Sequence, residues 1–359
     1  MESPVKYKVI GLMSGTSLDG VDLVCCTLKL REGKWVYVVE ATQTVRYSPL
    51  WKQKLAGAQH LSGEALMLLD IEYGKYLGVL VEAFVMKNRL RGVKFIASHG
   101  HTIFHQPVRN FTFQLGNGNA LHAATGFPIA CDFRSLDVAL DGQGAPLVPI
   151  GDRELFGEYD ICLNLGGIAN LSMDSGHKRI AYDICFANMG LNDLASKAGI
   201  PFDKNGTLAA DGVLDQLMLG DLKSAYEKFR KKRPSLSFEL YQKVIKPILD
   251  RDHLSVKDRL TTFVESIAHE ISIAIPRTNK QLTMLCTGGG AFNSYLMYRL
   301  VEMCEDRISI IIPDENVVKF KEAIVFAFLG VLRVRNEINC LKSVTGAKRD
   351  NSGGILIGF

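Results

Sequence analysis

Tyr7-Lys8-Val9-Ile10-Gly11-Leu12-Met13-Ser14-Gly15-Thr16-Ser17-Leu18-Asp19-Gly20-Val21-Asp22 is the stretch on which the fold turns. Tyr7 to Leu12 is apolar and β-prone, Ser14 to Gly20 supplies turn formers, and Val21 to Leu30 leaves as a second strand, which predicts a glycine-bearing β-hairpin. The turn gathers the hydroxyls of Ser14, Thr16 and Ser17 and the carboxylates of Asp19 and Asp22. Glycines let a main chain approach a polyanion, while hydroxyls and carboxylates hold a metal and its waters. Taken alone, such a turn is an ordinary hairpin.

The same object returns downstream. Tyr159 to Leu165 is apolar, Gly166-Gly167 turns it, Ile168 to Met173 leaves, and a third strand is expected around Arg179 to Ile184, so one unit occurs twice. A third turn, Thr287-Gly288-Gly289-Gly290-Ala291-Phe292-Asn293, closes a β-run and opens a helix, an arrangement that suits a phosphate. Helices are expected over 63–87, 188–199 and 260–275; in the last, Leu260, Phe263, Val264, Ile267 and Ile271 form one apolar stripe. Short strands are expected at 95–98, 283–286 and 308–312. Strands alternating with helices argue an α/β fold. No G-x-x-x-x-G-K-[ST] run exists, which excludes a P-loop enzyme.

The chain has 359 residues, 47% hydrophobic and 22% charged, too long for one ordinary core, so two packed domains are expected. A formal charge of +4 disfavours a nucleic-acid partner, and no segment has the apolar length of a signal peptide or a membrane span. Eight cysteines without a C-x-x-C pair fit reduced thiols in a cytosol. The crossing between domains is expected in 132–152, a Gly/Pro-containing stretch without helical period.

Asp183, after a β-prone run and before the helix that begins at Asn188, is either a base for phosphoryl transfer or a cap of that helix. His99, His101 and His105 lack nearby cysteine or acidic ligands and are read as hydrogen-bonding loop residues rather than a zinc site, with His99 and His101 on one face if the segment is extended. Arg134 is the cation to pair with an anionic substrate, or else it bridges Asp132 or Asp137.

The runs Gly11 to Asp22, Ser98-His99-Gly100, Asp132-Phe133-Arg134, Gly142-Gln143-Gly144-Ala145-Pro146-Leu147-Val148-Pro149, Asn164 to Ser172, Gly288 to Asn293, the 321–329 helix and Thr345-Gly346-Ala347 together resemble the anhydro-N-acetylmuramic acid kinase family. The resemblance implies a two-domain actin-like ATPase, with duplicated ribonuclease H-like domains and an active-site cleft between them. Residues 1–134, joined by 345–359, would form the first domain and 135–344 the second.

It further implies a kinase that uses ATP and Mg²⁺ to open the 1,6-anhydro ring with water and phosphorylate O6, in peptidoglycan recycling. Gly15, Thr16, Ser17, Leu18, Asp19, Gly20, Val21 and Asp22 would meet the ATP phosphates, with Asp19 a candidate for the metal. Asn164, Gly166 and Gly167 would form the second phosphate loop, and Gly288, Gly289, Gly290 and Asn293 would flank the adenosine. Asp183 would be the base; Arg134 would meet the lactyl carboxylate, with His99 and Thr102 near the sugar. The family often forms homodimers, which sets a homodimer as the expectation.

Two departures stand out. Where the family usually reads Thr-Gly-Pro-Gly-Asn after the aspartate, this chain has Ile184-Cys185-Phe186-Ala187-Asn188, and a bulky Phe186 is expected to reshape the floor beside Asp183. His101 replaces the usual glutamine of the His-Gly-Gln-Thr run. Competing readings are an ATP- or sugar-binding sensor without turnover and a kinase for another amino sugar.

Overall fold

The computed structural model describes residues 5–15 and 18–359. The strands run, in order, β1 (Lys6–Ser14), β2 (Gly20–Arg31), β3 (Lys34–Arg46), β4 (Phe95–Gln106), β5 (Phe111–Leu115), β6 (Ile129–Cys131), β7 (Ile161–Leu165), β8 (Ile168–Ser175), β9 (Lys178–Phe186), β10 (Leu282–Thr287), β11 (Ile308–Ile311) and β12 (Ile355–Ile357). The chain forms two compact units: Met1–Gly157 with Phe320–Phe359, and Glu158–Lys319. The 132–152 stretch therefore lies inside the first unit instead of between two. It also carries helices at Ser135–Ala139 and Val148–Leu155, too short to leave a period in the sequence.

The first unit's sheet is ordered β12-β6-β4-β1-β2-β3, with β5 on β4. Its β1, β2 and β3 form an antiparallel meander, and β4 and β6 join parallel to β1. The second unit's sheet, β11-β10-β7-β8-β9, repeats that wiring: β7, β8 and β9 are the meander, and β10 and β11 join parallel to β7. The unit expected to occur twice is therefore a duplicated ribonuclease H-like α/β domain, with the strand wiring that the resemblance implied.

Parallel neighbours need crossover helices. Gly63–Lys87 connects β3 to β4, and its buried Leu69, Tyr73, Leu77, Val81 and Phe84 recur at helical spacing against the sheet. Val256–Ala274 connects β9 to β10. Ser255 caps it by accepting from the Asp258 N–H at 3.1 Å, and it stops one residue before Ile275, which precedes Pro276. The stripe Leu260, Phe263, Val264, Ile267 and Ile271 is fully buried, as its spacing predicted. Among the described residues no helix is long and apolar enough to cross a membrane.

Candidate functional site

In the first unit β1 ends at Ser14, whose buried hydroxyl sits 2.6 Å from the Tyr47 hydroxyl and 2.8 Å from Nδ1 of His101. Gly15, Leu18 and Asp19 make the turn, with Leu18 at φ 58°. Thr16 and Ser17 lie outside the described residues. Gly20, Val21 and Asp22 already belong to β2, and the Val21 side chain is core, which leaves only its backbone to meet a ligand. The Asp22 carboxylate accepts from the Thr44 hydroxyl at 2.5 Å; burial pushes its carboxyl up, Thr44 opposes that, and Asp19 adds to it. Asp19 itself is exposed.

Gly100 decides where the histidines go. It adopts φ +74°, and between the β1–β4 pairs Leu12↔Ser98 and Ser14↔His101 the strand β4 carries one extra residue. His99 therefore packs on Phe326 of the helix Glu315–Val334, with ring centroids 4.6 Å apart, while His101 lies among Tyr47 and Tyr73 on the opposite face. The expectation of a shared face fails because plain alternation does not survive a bulge. The expectation of loop histidines also gives way, since all three lie in β4.

His99 is buried, and its Nδ1 is 2.8 Å from the Gly100 carbonyl, so Nδ1 carries the proton and Nε2 is an acceptor. That acceptor receives Nε and Nη2 of Arg134 at 3.0 and 2.8 Å, and Nη1 of Arg134 donates to the Gly144 carbonyl at 2.6 Å. Burial and the neighbouring guanidinium hold the His99 pKa well below the usual value. Arg134 is brought down to about 10 by burial, against the pull of Glu322.

Neither nearby aspartate pairs with Arg134. Asp132 accepts from Ser135, and the fully buried Asp137 takes donors from Gly144, Cys340, Thr345 and Asn351. Glu322, which the sequence reading did not single out, is the carboxylate that acts on Arg134. The glutamate side chain is exposed to solvent, yet the atoms crowded around it raise its carboxyl and the carboxylates of Asp22 and Asp152 add to that, while Arg134 and Lys321 oppose. The available signal was a charged pair, Lys321-Glu322, directly before the apolar run 323–332 of the same helix. Thr102 lines an open recess of about 160 Å³ with Leu18, Leu55, Ala56, Gln59, His101 and Ile103.

In the second unit two glycine turns meet. Thr287 pairs with Asn164 at the carboxyl ends of parallel β10 and β7, and Gly288 lies so close that a Cβ there would stand 2.6 Å from Asn164 Oδ1. Such strand ends are where open α/β sheets bind ligands. The Gly166 and Gly167 carbonyls accept from the N–H groups of Ala187, Asn188 and Met189, which ties this turn to the start of the next helix. Asn293 caps Ser294–Cys304 by accepting from the Leu296 N–H at 3.0 Å.

Asp183 stands in the same cross-strand row. Thr287 pairs with Asn164, Asn164 with Asn170, and Asn170 with Asp183. Two strand spacings, roughly 10 Å, separate Asp183 from Asn164. The residue lies inside β9 and does not cap the helix that follows; its Oδ2 accepts from the Leu236 N–H at 2.9 Å. Burial raises its carboxyl above the usual carboxylate range, and the Leu236 amide partly opposes that. Phe186 does not form a floor beside it. That ring is fully buried, 5.5 Å from Tyr241 and 6.4 Å from Phe229, because three residues further along the strand the chain has entered the helix-covered core.

The family profile for anhydro-N-acetylmuramic acid kinase matches residues 7–358. An anhydro-N-acetylmuramic acid kinase of Sulfurimonas denitrificans is 34% identical over 97% of this chain and 98% of its own length. Proteins of the same name from a Sulfurovum species and from Mannheimia succiniciproducens are 32% and 33% identical, each over 98% of this chain and 99% of their own. A match this long, through both units and every glycine turn, makes the chain a member of the anhydro-N-acetylmuramic acid kinase family.

Proposed function

We propose that this protein is an ATP-dependent sugar kinase that opens 1,6-anhydro-N-acetylmuramic acid with water and phosphorylates O6, giving N-acetylmuramic acid 6-phosphate in peptidoglycan recycling. The observation that carries the reading is the family match from residue 7 to residue 358. Asp183 takes the proton of a water that attacks the anomeric carbon; the C1–O6 bond breaks, and O6 takes the γ-phosphoryl group as ADP leaves. A placed base contributes ~10²–10⁴ in rate, and a carboxyl raised by burial is a stronger base than a solvated one.

Gly15 to Asp22 and Asn164 to Gly167 meet the phosphates, and Gly288 to Asn293 flank the adenosine. The exposed carboxylate of Asp19, with Asp22 three residues on, fits a hydrated Mg²⁺, which takes one or two carboxylates and keeps its waters. When bound, that ion neutralises charge developing on the phosphoryl oxygens. Arg134, oriented by His99, receives the lactyl carboxylate, with Thr102 beside the sugar. The protein works in the cytoplasm as a homodimer.

Phe186 is buried in the core and takes no space beside Asp183, which supports turnover over a sensor without it. The test is incubation with ATP, Mg²⁺ and the anhydrosugar in H₂¹⁸O. Mass spectrometry is expected to find a 6-phosphosugar carrying ¹⁸O at C1. Absence of product at high enzyme, with nucleotide binding intact by calorimetry, would overturn the reading.

A further inference from the structure

Arg134 carries five N–H groups, and three are spent on the protein: Nε and Nη2 donate to Nε2 of His99, and Nη1 donates to the Gly144 carbonyl. One proton on Nη1 and one on Nη2 remain, the pair that takes a carboxylate in a two-pronged bond. Where that pair points depends on its two supports. The His99 ring is fixed by the Gly100 carbonyl and by Phe326. The Gly144 carbonyl belongs to a residue without a Cβ, at φ 64°, whose own backbone preference does not hold it in place.

What holds it is Asp137. The Gly144 N–H donates to Oδ2 of that carboxylate at 2.8 Å, and a backbone N–H can only donate, so this bond has one direction. Oδ1 of the same group accepts from Asn351 Nδ2 and the Thr345 hydroxyl at 2.9 Å and from the Cys340 thiol at 3.0 Å. One oxygen therefore fastens the segment 340–351, and the other aims Gly144. Asp137 is fully buried, and the loop closes tightly on it. The Gly142 N–H donates to the Asp137 carbonyl at 2.9 Å, the Gln143 N–H donates to the Thr345 carbonyl at 2.8 Å, and a Cβ on Gly142 would collide with Asp137 Oδ2.

We propose that Asp137 is a positioning residue for anion recognition: it fixes the Gly144 carbonyl and, through it, the direction of the two free N–H groups of Arg134. The proposal rests on the reading of Arg134 as the cation for the sugar's carboxylate, though one of its tests needs no sugar.

That test is ¹⁵N NMR of the full chain with labelled arginine, reading solvent exchange of the Arg134 Nε–H, assigned by its absence in Arg134→Lys. Exchange is expected to be at least tenfold faster in Asp137→Ala than in the wild type. Asp137→Asn, whose amide oxygen still accepts from Gly144, should stay within about threefold. Thr345→Val removes a donor from Oδ1 only; it should lower the urea midpoint and leave exchange within about threefold. Steady-state kinetics is the second test. KM for the anhydrosugar should rise about tenfold in Asp137→Ala with kcat changed less than threefold, and should stay within about threefold in Asp137→Asn and Thr345→Val. Should Asp137→Ala not fold, Gly144→Ala leaves the carboxylate its other three donors but puts a Cβ 2.6 Å from Val138 Cγ2, and it is expected to give the same faster exchange and the same rise in KM. Unchanged exchange in whichever of these two variants folds, or an equal rise in KM in Thr345→Val, overturns the proposal. The expected exchange pattern without any sugar binding would count against the kinase reading alone, while normal turnover with unchanged exchange would count against Asp137 alone.

Discussion

Nε2 of His99 accepts from two nitrogens of Arg134, Nη2 at 2.8 Å and Nε at 3.0 Å, and the other edge of the same ring is tied to the Gly100 carbonyl at 2.8 Å. The guanidinium is held in one plane by a neutral base instead of a carboxylate. Its charge is therefore not neutralised, and Glu322 is the anion that acts on it. An arginine so placed is pre-oriented for an anionic group.

His99→Ala is expected to raise KM for the anhydrosugar about tenfold and to change kcat less than threefold, since the lost contact orients the arginine in ground and transition states alike. Arg134→Lys should raise KM further, because an ammonium cannot satisfy His99 and Gly144 and still present a fork. Steady-state kinetics at saturating ATP separates the two. Equal losses in kcat and kcat/KM for His99→Ala would contradict the assignment.

Stability should fall on the acid side through the two buried histidines. Both have pKa values depressed by burial, so the unfolded chain binds their protons first and the slope of unfolding free energy with pH is positive. The stability is fully present above about 6.5 and is lost as pH falls toward the folded values. For His101, a depression from 6.5 to about 4 corresponds to roughly 3 kcal/mol. Urea unfolding of the wild type and His101→Gln at pH 7, 5.5 and 4.5 is expected to show a smaller acid loss in the variant; parallel curves would rule this out.

Asp183→Asn should separate activity from stability. Phosphotransfer is expected to drop by about 10²–10⁴ if the carboxylate is the base. The fold should gain about 1 kcal/mol, because a carboxyl whose charge is disfavoured by burial is replaced by an amide that still accepts from Leu236. The acid limb of kcat/KM in the wild type should lie above 3.8, the ordinary value for this side chain. Thermal unfolding beside single-turnover assays reads both outcomes. A variant that loses activity and stability together would mark Asp183 as structural.

Gly288→Ala is expected to cost about 1–3 kcal/mol. Its backbone sits at φ 81°, ψ 162°, a region that residues with a Cβ scarcely occupy. The new carbon would also stand 2.6 Å from Asn164 Oδ1 and 2.8 Å from the Leu165 carbonyl carbon. Nucleotide affinity should weaken as well, because both turns are displaced. Gly289→Ala, at an exposed position whose nearest neighbour is 3.6 Å away, is the control and should unfold within about 0.5 kcal/mol of the wild type.

The elements that local pattern controls were legible. The 63–87 helix has its Ser62 cap and its apolar stripe in plain view, and the hairpins around Ser14–Gly20 and Gly166-Gly167 are marked by turn residues between β-prone runs. β3, β5, β6 and β12 escaped because they are edge or short strands: β3 leaves the apolar Val36 and Val38 exposed at the sheet edge, and β6 and β12 have three residues each. Phe186 looked like an obstacle beside Asp183 because the two are close in sequence, yet its packing partners lie at 229 and 241.

By itself the amino-acid order determined the duplicated strand-turn-strand unit, the three glycine turns, the helix faces and, through their ordered run, the family. Those features depend on neighbours a few positions apart, where backbone preference and hydrophobic period act. Only the tertiary structure decided that His99 and His101 face opposite ways, that Arg134 leans on an imidazole and a carbonyl, and that Asp183 shares a row with Asn164. Each of these depends on partners 10 to 87 positions apart or on strand register, as with Arg134 and Gly144, Ser14 and Tyr47, Ser14 and His101, or Arg134 and His99. One residue in a left-handed conformation, Gly100, is enough to move a side chain from one face of the sheet to the other.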